Sequence, residues 1–242
     1  MSGKIYDGGR IQSIDALRGL SVVLMVIHHF LYDLAAFLGA PWWIFTNPIL
    51  DVAHYIFAGL FILLSGVSSR FSRSNVKRGL KVIAAAIAIS IVTYFMDMTV
   101  YFGILHFLGV CMVLYGLLEK AVLKIPDIFA PIIYIVLLVA SAVLVNLINE
   151  SSIVITWLWP LGITYPGFAS SDYFPLLPWV FVFLLGTWLG DKIKAGLLPK
   201  AFYTIKPKFF PWVGRRAFII YLVHQPILYG ITLLIGKVLD IP

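Results

Sequence analysis

Charged residues and cysteine are both scarce in this sequence. Asp, Glu, Lys and Arg make up only 12% of the 242 residues, whereas soluble proteins average about a quarter. Hydrophobic residues account for 61% of the chain, so an ordinary soluble globular protein is excluded and a polytopic membrane protein is indicated. The single cysteine, Cys111, rules out an internal disulfide and lies in an apolar run, where it is expected to be a small core residue.

Several familiar motifs are also missing. The sequence has no C-x-x-C pair, no Gly-rich phosphate loop and no Gly-x-Ser-x-Gly nucleophile elbow, so serine hydrolysis has no support. No internal repeat or low-complexity tract divides the chain, and we expect a single transmembrane domain over residues 1–242. No small-residue cleavage site follows a short apolar stretch near the N-terminus, so the first apolar segment is expected to be retained as a helix.

Long apolar runs dominate what is present. Lipid offers backbone polar groups no partner outside their own segment, so runs of about 20 apolar residues are predicted to be transmembrane α-helices. The fold class is therefore predicted to be all-α, with about seven transmembrane helices in a polytopic integral membrane protein. The predicted spans are 17–38, 51–69, 80–98, 103–119, 128–149, 174–191 and 213–236.

The basic residues fall on alternate connections between these runs. Of the 18 Lys and Arg residues, Lys237 alone lies on the opposite side. The positive-inside rule then predicts a cytoplasmic N-terminus and an outside C-terminus. The net charge of +7 is thus explained by topology and contact with anionic lipids, and nucleic acid is not an expected partner.

Aromatic residues mark the other connections. The outward stretches 38–50 and 150–175 are rich in Trp and Tyr, which are typical interfacial anchors but would also suit an aromatic vestibule for a sugar. The stretch 197–212 mixes lysines with aromatic residues and is predicted to lie along the inner leaflet.

Polar residues interrupt the first span. His28, His29 and Asp33 fall where lipid is expected, and ionisable residues inside a span usually mark a functional site. At about 100° per residue, His29 and Asp33 share a helix face with Arg18, while His28 lies to one side. The eleven residues from Arg18 to His29 correspond to about 16 Å of helix, so an interfacial Arg18 would place His29 near the middle of the membrane.

Several roles are possible for these histidines. His29 could serve as a general base, with Asp33 or Asp172 holding its tautomer and stabilising its charged form. Alternatively, His29 and His224 could ligate a haem in a membrane electron carrier, or single histidines could make hydrogen bonds between helices. A transporter is a third possibility, disfavoured because Pro226 alone interrupts a central span. A zinc site is not expected, because adjacent histidines point about 100° apart.

A basic cluster follows the second predicted span. Arg70, Arg73, Lys77 and Arg78 occur within nine residues. Together with Arg18, these arginines could clamp an anionic cofactor by bidentate contacts to phosphate, and His224 is a further candidate for cofactor contact. The alternative is that the cluster does no more than set the topology.

Five segments resemble a known family. They are RIQSIDALRGLSVVLMVIHHFLYDL, LFILLSG, GILHFLGV, DYFPLLPW and AFIIYLVHQPIL, in that order. The sequence resembles a bacterial member of the heparan-α-glucosaminide N-acetyltransferase catalytic-domain family, within the transmembrane acyltransferase superfamily. Arg18 and His29 are also similar to the Arg/Lys-x10-His signature of acyltransferase type 3 proteins, and Arg70 and Arg73 resemble their arginine pair.

The resemblance implies transfer of an acyl group, with acetyl expected, from cytoplasmic acyl-CoA to an amine or hydroxyl on the far side of the membrane. Arg18, Arg70 and Arg73 would hold the nucleotide, and His29 would deprotonate the acceptor. The mammalian enzymes have asparagine at the position of His29, so the catalytic role could shift to His54. The expected location is a bacterial plasma membrane, and the expected acceptor is a sugar of the cell envelope. No metal is expected. The apolar exterior would permit a homodimer.

Overall fold

The computed structural model describes residues 9–95, 98–151 and 153–240. Within these ranges the regular secondary structure is helical, and β pairing is limited to an isolated bridge between Phe102 and Tyr173. The prediction of an all-α membrane protein is confirmed. The helices are α1 (Gln12–Phe37), α2 (Pro48–Ser69), α3 (Asn75–Tyr94), α4 (Ile104–Val122), α5 (Ala130–Glu150), α6 (Leu176–Lys194), α7 (Lys200–Thr204), α8 (Phe209–Arg215) and α9 (Ala217–Val238).

Six of these helices are long and apolar enough to cross a membrane, namely α1, α2, α4, α5, α6 and α9. Helix α3 is 20 residues long but carries Lys77, Arg78 and Lys81 in its first two turns. The predicted span 80–98, which overlaps α3, stays a prediction, and so does the orientation of the termini. The short helices α7 and α8 occupy most of the stretch that the sequence places along the inner leaflet.

The chain divides into two compact units. The first unit contains the residues up to Leu64 and from Gly196 onward, and therefore α1, most of α2, and α7 to α9. The second unit runs from Ser65 to Ala195 and contains the last residues of α2 and helices α3 to α6. That the whole chain forms one domain stays a prediction.

In the first unit, α1 packs against α8 and α9. Val22, Val213 and Ala217 form a buried cluster at this junction. A Cβ atom added at Gly19 would lie 2.0 Å from the carbonyl oxygen of Phe210, and one added at Gly214 would lie 1.8 Å from that of Asp15. Small residues allow helix backbones to touch in this way, so the crossing of α1 and α8 depends on having no side chain at these two positions.

In the second unit, α3 packs on α4 and α5 packs on α6. Ser74 is the N-cap of helix α3, and its hydroxyl accepts a hydrogen bond from the Lys77 amide at 3.3 Å. Helix α5 has only Ala130 and Tyr134 buried, while most of its apolar side chains are exposed. An exposed apolar surface along a helix of this length is what contact with lipid requires.

Candidate active site

Four of the five histidines gather in the first unit. His28 and His29 come from α1, His54 from the first half of α2, and His224 from α9. The ring centroids of His28 and His54 are 4.7 Å apart, and those of His29 and His224 are 5.0 Å apart. Because adjacent helical residues point in different directions, His28 and His29 each meet a histidine from a different helix. The sequence suggested that His29 and His224 lie close together, as possible haem ligands, but it did not indicate the pairing of His28 with His54.

The backbone fixes the tautomers of His29 and His224. The Nδ1 atom of His29 lies 3.0 Å from the carbonyl oxygen of Met25, and Nδ1 of His224 lies 2.7 Å from that of Tyr221. A carbonyl oxygen only accepts, so each Nδ1 carries the hydrogen and each Nε2 of the neutral ring keeps a lone pair. In His224, this Nε2 atom is buried and has no hydrogen-bond partner among the described residues.

At Nδ1, the ring of His29 is held by the carbonyl of Met25, one turn earlier on the same helix. That Asp33 or Asp172 acts on His29 stays a prediction. Asp172 belongs to the second unit, where its Oδ2 accepts a hydrogen bond from the backbone amide of Ile104 at 2.9 Å. An acceptor at this position satisfies an amide at the start of α4 and complements the helix dipole, which is a structural role.

Asp33 is the most deeply buried acidic residue among those described. Its exposed fraction is 0%, and its Oδ1 accepts a hydrogen bond from Nε2 of Gln225 on α9 at 2.9 Å. Sequence reasoning selected Asp33 but missed Gln225. The available signal was a second polar side chain directly after His224 in an apolar span.

Aromatic side chains pack around the His28 and His54 pair. The His28 ring lies 4.7 Å from the Phe45 ring and 5.8 Å from the Phe57 ring. Phe45 in turn contacts Tyr32 at 5.3 Å. Phe45 belongs to the Trp-rich connection between α1 and α2, so that connection contributes to the wall of the histidine cluster as well as offering exposed aromatic residues.

The spacing of His29 and His224 argues against a haem held between them. Two imidazoles that ligate one haem iron lie on opposite sides of the macrocycle, with the iron between them. Here the two rings meet edge to face, at an interplanar angle of 70°, with a centroid distance of 5.0 Å. Rings in direct contact leave no space for the macrocycle. Nor do the described residues include a group of three His, Cys, Asp or Glu side chains placed to hold a metal ion.

A compact charge cluster lies at the start of α1. Asp15 is buried and accepts two hydrogen bonds from Arg10, at 2.6 and 3.1 Å, and one from Arg18 at 3.1 Å. The hydrogen bond to Asp15 raises the pKa of Arg10, which lies just before the helix. Two guanidinium groups share one carboxylate, so the cluster keeps a net positive charge. Sequence reasoning selected Arg18 but missed Arg10, although its spacing from Asp15 was visible.

Arg70 has a different environment in the second unit. It lies just beyond the end of α2, and its side chain is 14% exposed. The guanidinium donates to Asp191 on α6 at 2.6 Å, to the Tyr115 hydroxyl on α4 at 2.8 Å, and to Glu119 on α4. Burial tends to lower the pKa of Arg70, but the hydrogen bonds to Asp191 and Tyr115 outweigh it and raise the pKa.

The charge around Arg70 bears on the prediction that this arginine binds the phosphates of a nucleotide cofactor. With two carboxylates around one guanidinium, the Arg70 cluster has a net negative charge, which does not favour a phosphate. Arg70 therefore joins α2, α4 and α6, and its role in cofactor binding stays a prediction. Arg73 is exposed in the turn before α3, and Arg78 is half-buried in the first turns of α3. Their cofactor roles also stay predictions.

These observations define a class: a multi-pass helical membrane protein with a histidine-lined interior and a cationic cluster at the start of its first span. Residues 10–226 match the family model described as heparan-alpha-glucosaminide N-acetyltransferase, catalytic. Since the match covers most of the chain, the protein belongs to this family, and membership implies membrane acetyltransferase activity. No curated protein and no solved structure matches the chain significantly.

Proposed function

We propose that the protein transfers an acetyl group from cytoplasmic acetyl-CoA to an amine or hydroxyl of an extracytoplasmic sugar, with His29 as the general base. The observation that carries this proposal is the tautomer of His29. Its Nδ1 hydrogen is engaged by the Met25 carbonyl, which leaves Nε2 with the lone pair that a base needs. Family membership supplies the reaction class.

The reaction requires the imidazole of His29 first to accept a proton and then to release it. Nε2 accepts the proton of the acceptor amine or hydroxyl as that group attacks the thioester carbonyl, and it then returns the proton to the departing sulfur. Throughout this exchange, Nδ1 keeps its hydrogen bond to Met25, so the ring holds its orientation. His224 contacts the His29 ring and is itself held by the Tyr221 carbonyl, so it is suited to position His29. His54, against His28, is the alternative base.

The cationic cluster at the start of α1 is the better candidate for the phosphates of acetyl-CoA. The two arginines, Arg10 and Arg18, share one carboxylate, so their cluster has a net charge of about +1. Arg70 is paired with two carboxylates, so its cluster has a net negative charge. Guanidinium groups bind phosphate oxygens with paired hydrogen bonds. The loop and first turns that carry Arg73 and Arg78 stay a secondary candidate for the same role.

Detergent-purified protein provides the test. Thiol release from acetyl-CoA is followed in the presence of an amino sugar, and the acetylated product is identified by mass spectrometry. His29→Gln should lower kcat by about 10²–10⁴-fold, the usual contribution of a general base, with little change in the thermal unfolding midpoint. His106→Gln is the matched control, since His106 lies in the second unit beside Ser90 and Phe102 and should retain transfer.

His54→Gln decides between the two candidate bases. A large loss in His54→Gln together with full turnover in His29→Gln would move the base to His54. Full turnover in both variants would contradict base catalysis by this histidine cluster.

A further inference from the structure

The contact between Asp33 and Gln225 leaves two oxygen atoms without partners. Gln225 donates through Nε2 to Oδ1 of Asp33 at 2.9 Å. The other carboxyl oxygen, Oδ2 of Asp33, and the amide oxygen, Oε1 of Gln225, are both buried and make no hydrogen bond to any described residue. Buried polar atoms nearly always have a partner, so two such atoms in one residue pair require an explanation.

Asp33 forms no ion pair with a lysine or arginine in the described ranges. The titratable group that acts on Asp33 is His29, one turn earlier on α1, and the ring of His29 contacts His224, the residue before Gln225 on α9. A carboxylate with 0% exposure and no cation is strongly disfavoured in the interior of an apolar bundle, and such a group takes up a proton instead.

One hydrogen would satisfy both oxygens at once. A carboxylic acid offers one O–H donor and one carbonyl acceptor, and a primary amide offers an N–H donor and a carbonyl acceptor. The two groups are therefore complementary and can form a cyclic pair with two hydrogen bonds. The N–H···O half of this pair is already present between Gln225 and Asp33. The missing half is an O–H···O bond from Oδ2 to Oε1, the two atoms that lack partners.

We propose that Asp33 is a neutral carboxylic acid in the folded protein and is held in that form by a cyclic hydrogen-bonded pair with Gln225. Gln225 is then a positioning residue that keeps a resident proton one helical turn from His29. The catalytic meaning of this proton rests on the function proposed above, whereas the acid–amide pair itself does not. The same pair joins α1 to α9 beside the contact between His29 and His224.

The neutral acid alters the role expected for Asp33. A carboxylate beside His29 would stabilise the imidazolium form and slow the return of its proton. A neutral acid leaves the imidazolium without a fixed counter-charge, so the proton taken from the acceptor passes readily to the departing CoA sulfur. The proton on Asp33 is not consumed in this sequence, and the transfer balances without it.

Infrared spectroscopy tests the protonation state directly. At neutral pH the whole protein in detergent should show a carboxylic acid C=O stretch, distinct from carboxylate bands, that moves in deuterium oxide. Asp33→Asn should remove this band, and Gln225→Leu should shift it because a hydrogen bond is lost. Asp172→Asn is the matched control and should leave the band in place, because Asp172 accepts a backbone hydrogen bond in the second unit.

Thermal unfolding gives a second readout. Asp33→Asn replaces one neutral group with another that can keep both hydrogen bonds, so its unfolding midpoint should stay close to that of the unsubstituted protein. Asp33→Leu should lower the midpoint, because Gln225 then loses its partner. An Asp33→Asn midpoint as low as that of Asp33→Leu would overturn the neutral pair.

The outcomes for this pair and for the enzyme are separable. Absence of the acid band at neutral pH, or its persistence in Asp33→Asn, overturns the pair whatever the transferase assay shows. Failure of acetyl transfer with the band present and sensitive to both substitutions contradicts the proposed function and supports the pair. Because the band is measured in the unsubstituted protein, poor folding of a variant does not remove the test.

Discussion

Replacing Gly214 with alanine should force α8 away from α1. The added Cβ atom would lie 1.8 Å from the Asp15 carbonyl oxygen, about half of the 3.4 Å at which ordinary contact begins. The obstructing atoms belong to backbone, so no side-chain rotation relieves the clash, and the helices must separate locally by roughly 1.5 Å. Overpacking of this kind costs about 1–3 kcal/mol, and the gain in helix propensity from Gly to Ala, about 0.8–1 kcal/mol, offsets only part of it.

Gly230→Ala supplies the matched control. Gly230 lies in α9, and a Cβ atom added there meets no atom within 4 Å, so this variant gains helix propensity without a clash. For proteins of this size, 1 kcal/mol shifts the unfolding midpoint by about 2–4 °C. The propensity gain is common to both variants, so unfolding followed by tryptophan fluorescence in detergent should separate their midpoints by about 2–12 °C. Equal midpoints would refute the close crossing of α1 and α8.

Three further predictions concern the second unit. Arg70→Met should lower the free energy of unfolding by about 1–3 kcal/mol, measured by thermal unfolding, because Asp191 and Glu119 lose the cation that they share. The loss is limited because both carboxylates stay partly solvated. Asp172→Ala should cost about 0.5–2 kcal/mol and speed hydrogen exchange at the Ile104 amide, since that amide loses its acceptor. Burial raises the pKa of Tyr173 to about 12, so the unfolded chain ionises first, and stability should fall as pH rises from about 10 to 12. Tyr173→Phe should remove this dependence in an unfolding series across that range, whereas an unchanged slope would contradict it.

The helices were predictable because their signal is local. Apolar runs of sufficient length determine where most spans lie, and the run predicted at 17–38 corresponds to α1 at Gln12–Phe37. The earlier start of α1 was not predictable from hydropathy, because it depends on distant contacts. Ser13, for example, donates to the carbonyl oxygen of Phe202 on α7 at 2.5 Å. A polar residue with such a partner can belong to a helix that an apolar window excludes.

The candidate site was predictable in part. Helical periodicity separated His29 from His28 correctly, since each ring faces a different helix. Periodicity could not assign partners, because His54 and His224 come from helices far along the chain and the packing of those helices decides which rings meet. The same limit applied to Arg70, whose two carboxylates follow it by 49 and 121 residues. A basic residue after a span predicts topology well but does not reveal its own ion-pair partners.

Buried polar side-chain atoms without hydrogen-bond partners are distributed unequally between the two units. In the second unit, Arg70, Asp172 and His106 all find hydrogen-bond partners, and Oδ1 of Asn75 is the buried side-chain atom without one among the described residues. In the first unit, Nε2 of His224, Oδ2 of Asp33 and Oε1 of Gln225 are all buried without a partner in the described part of the chain. Folding alone favours partners for such atoms, so an accumulation of lone acceptors around one histidine cluster indicates selection for something other than stability. A proton shared by Asp33 and Gln225 satisfies two of these atoms, and Nε2 of His224 remains for a donor that arrives with the substrate. If the proposed function is correct, we expect substitutions that spare folding but abolish transfer to concentrate in the first unit.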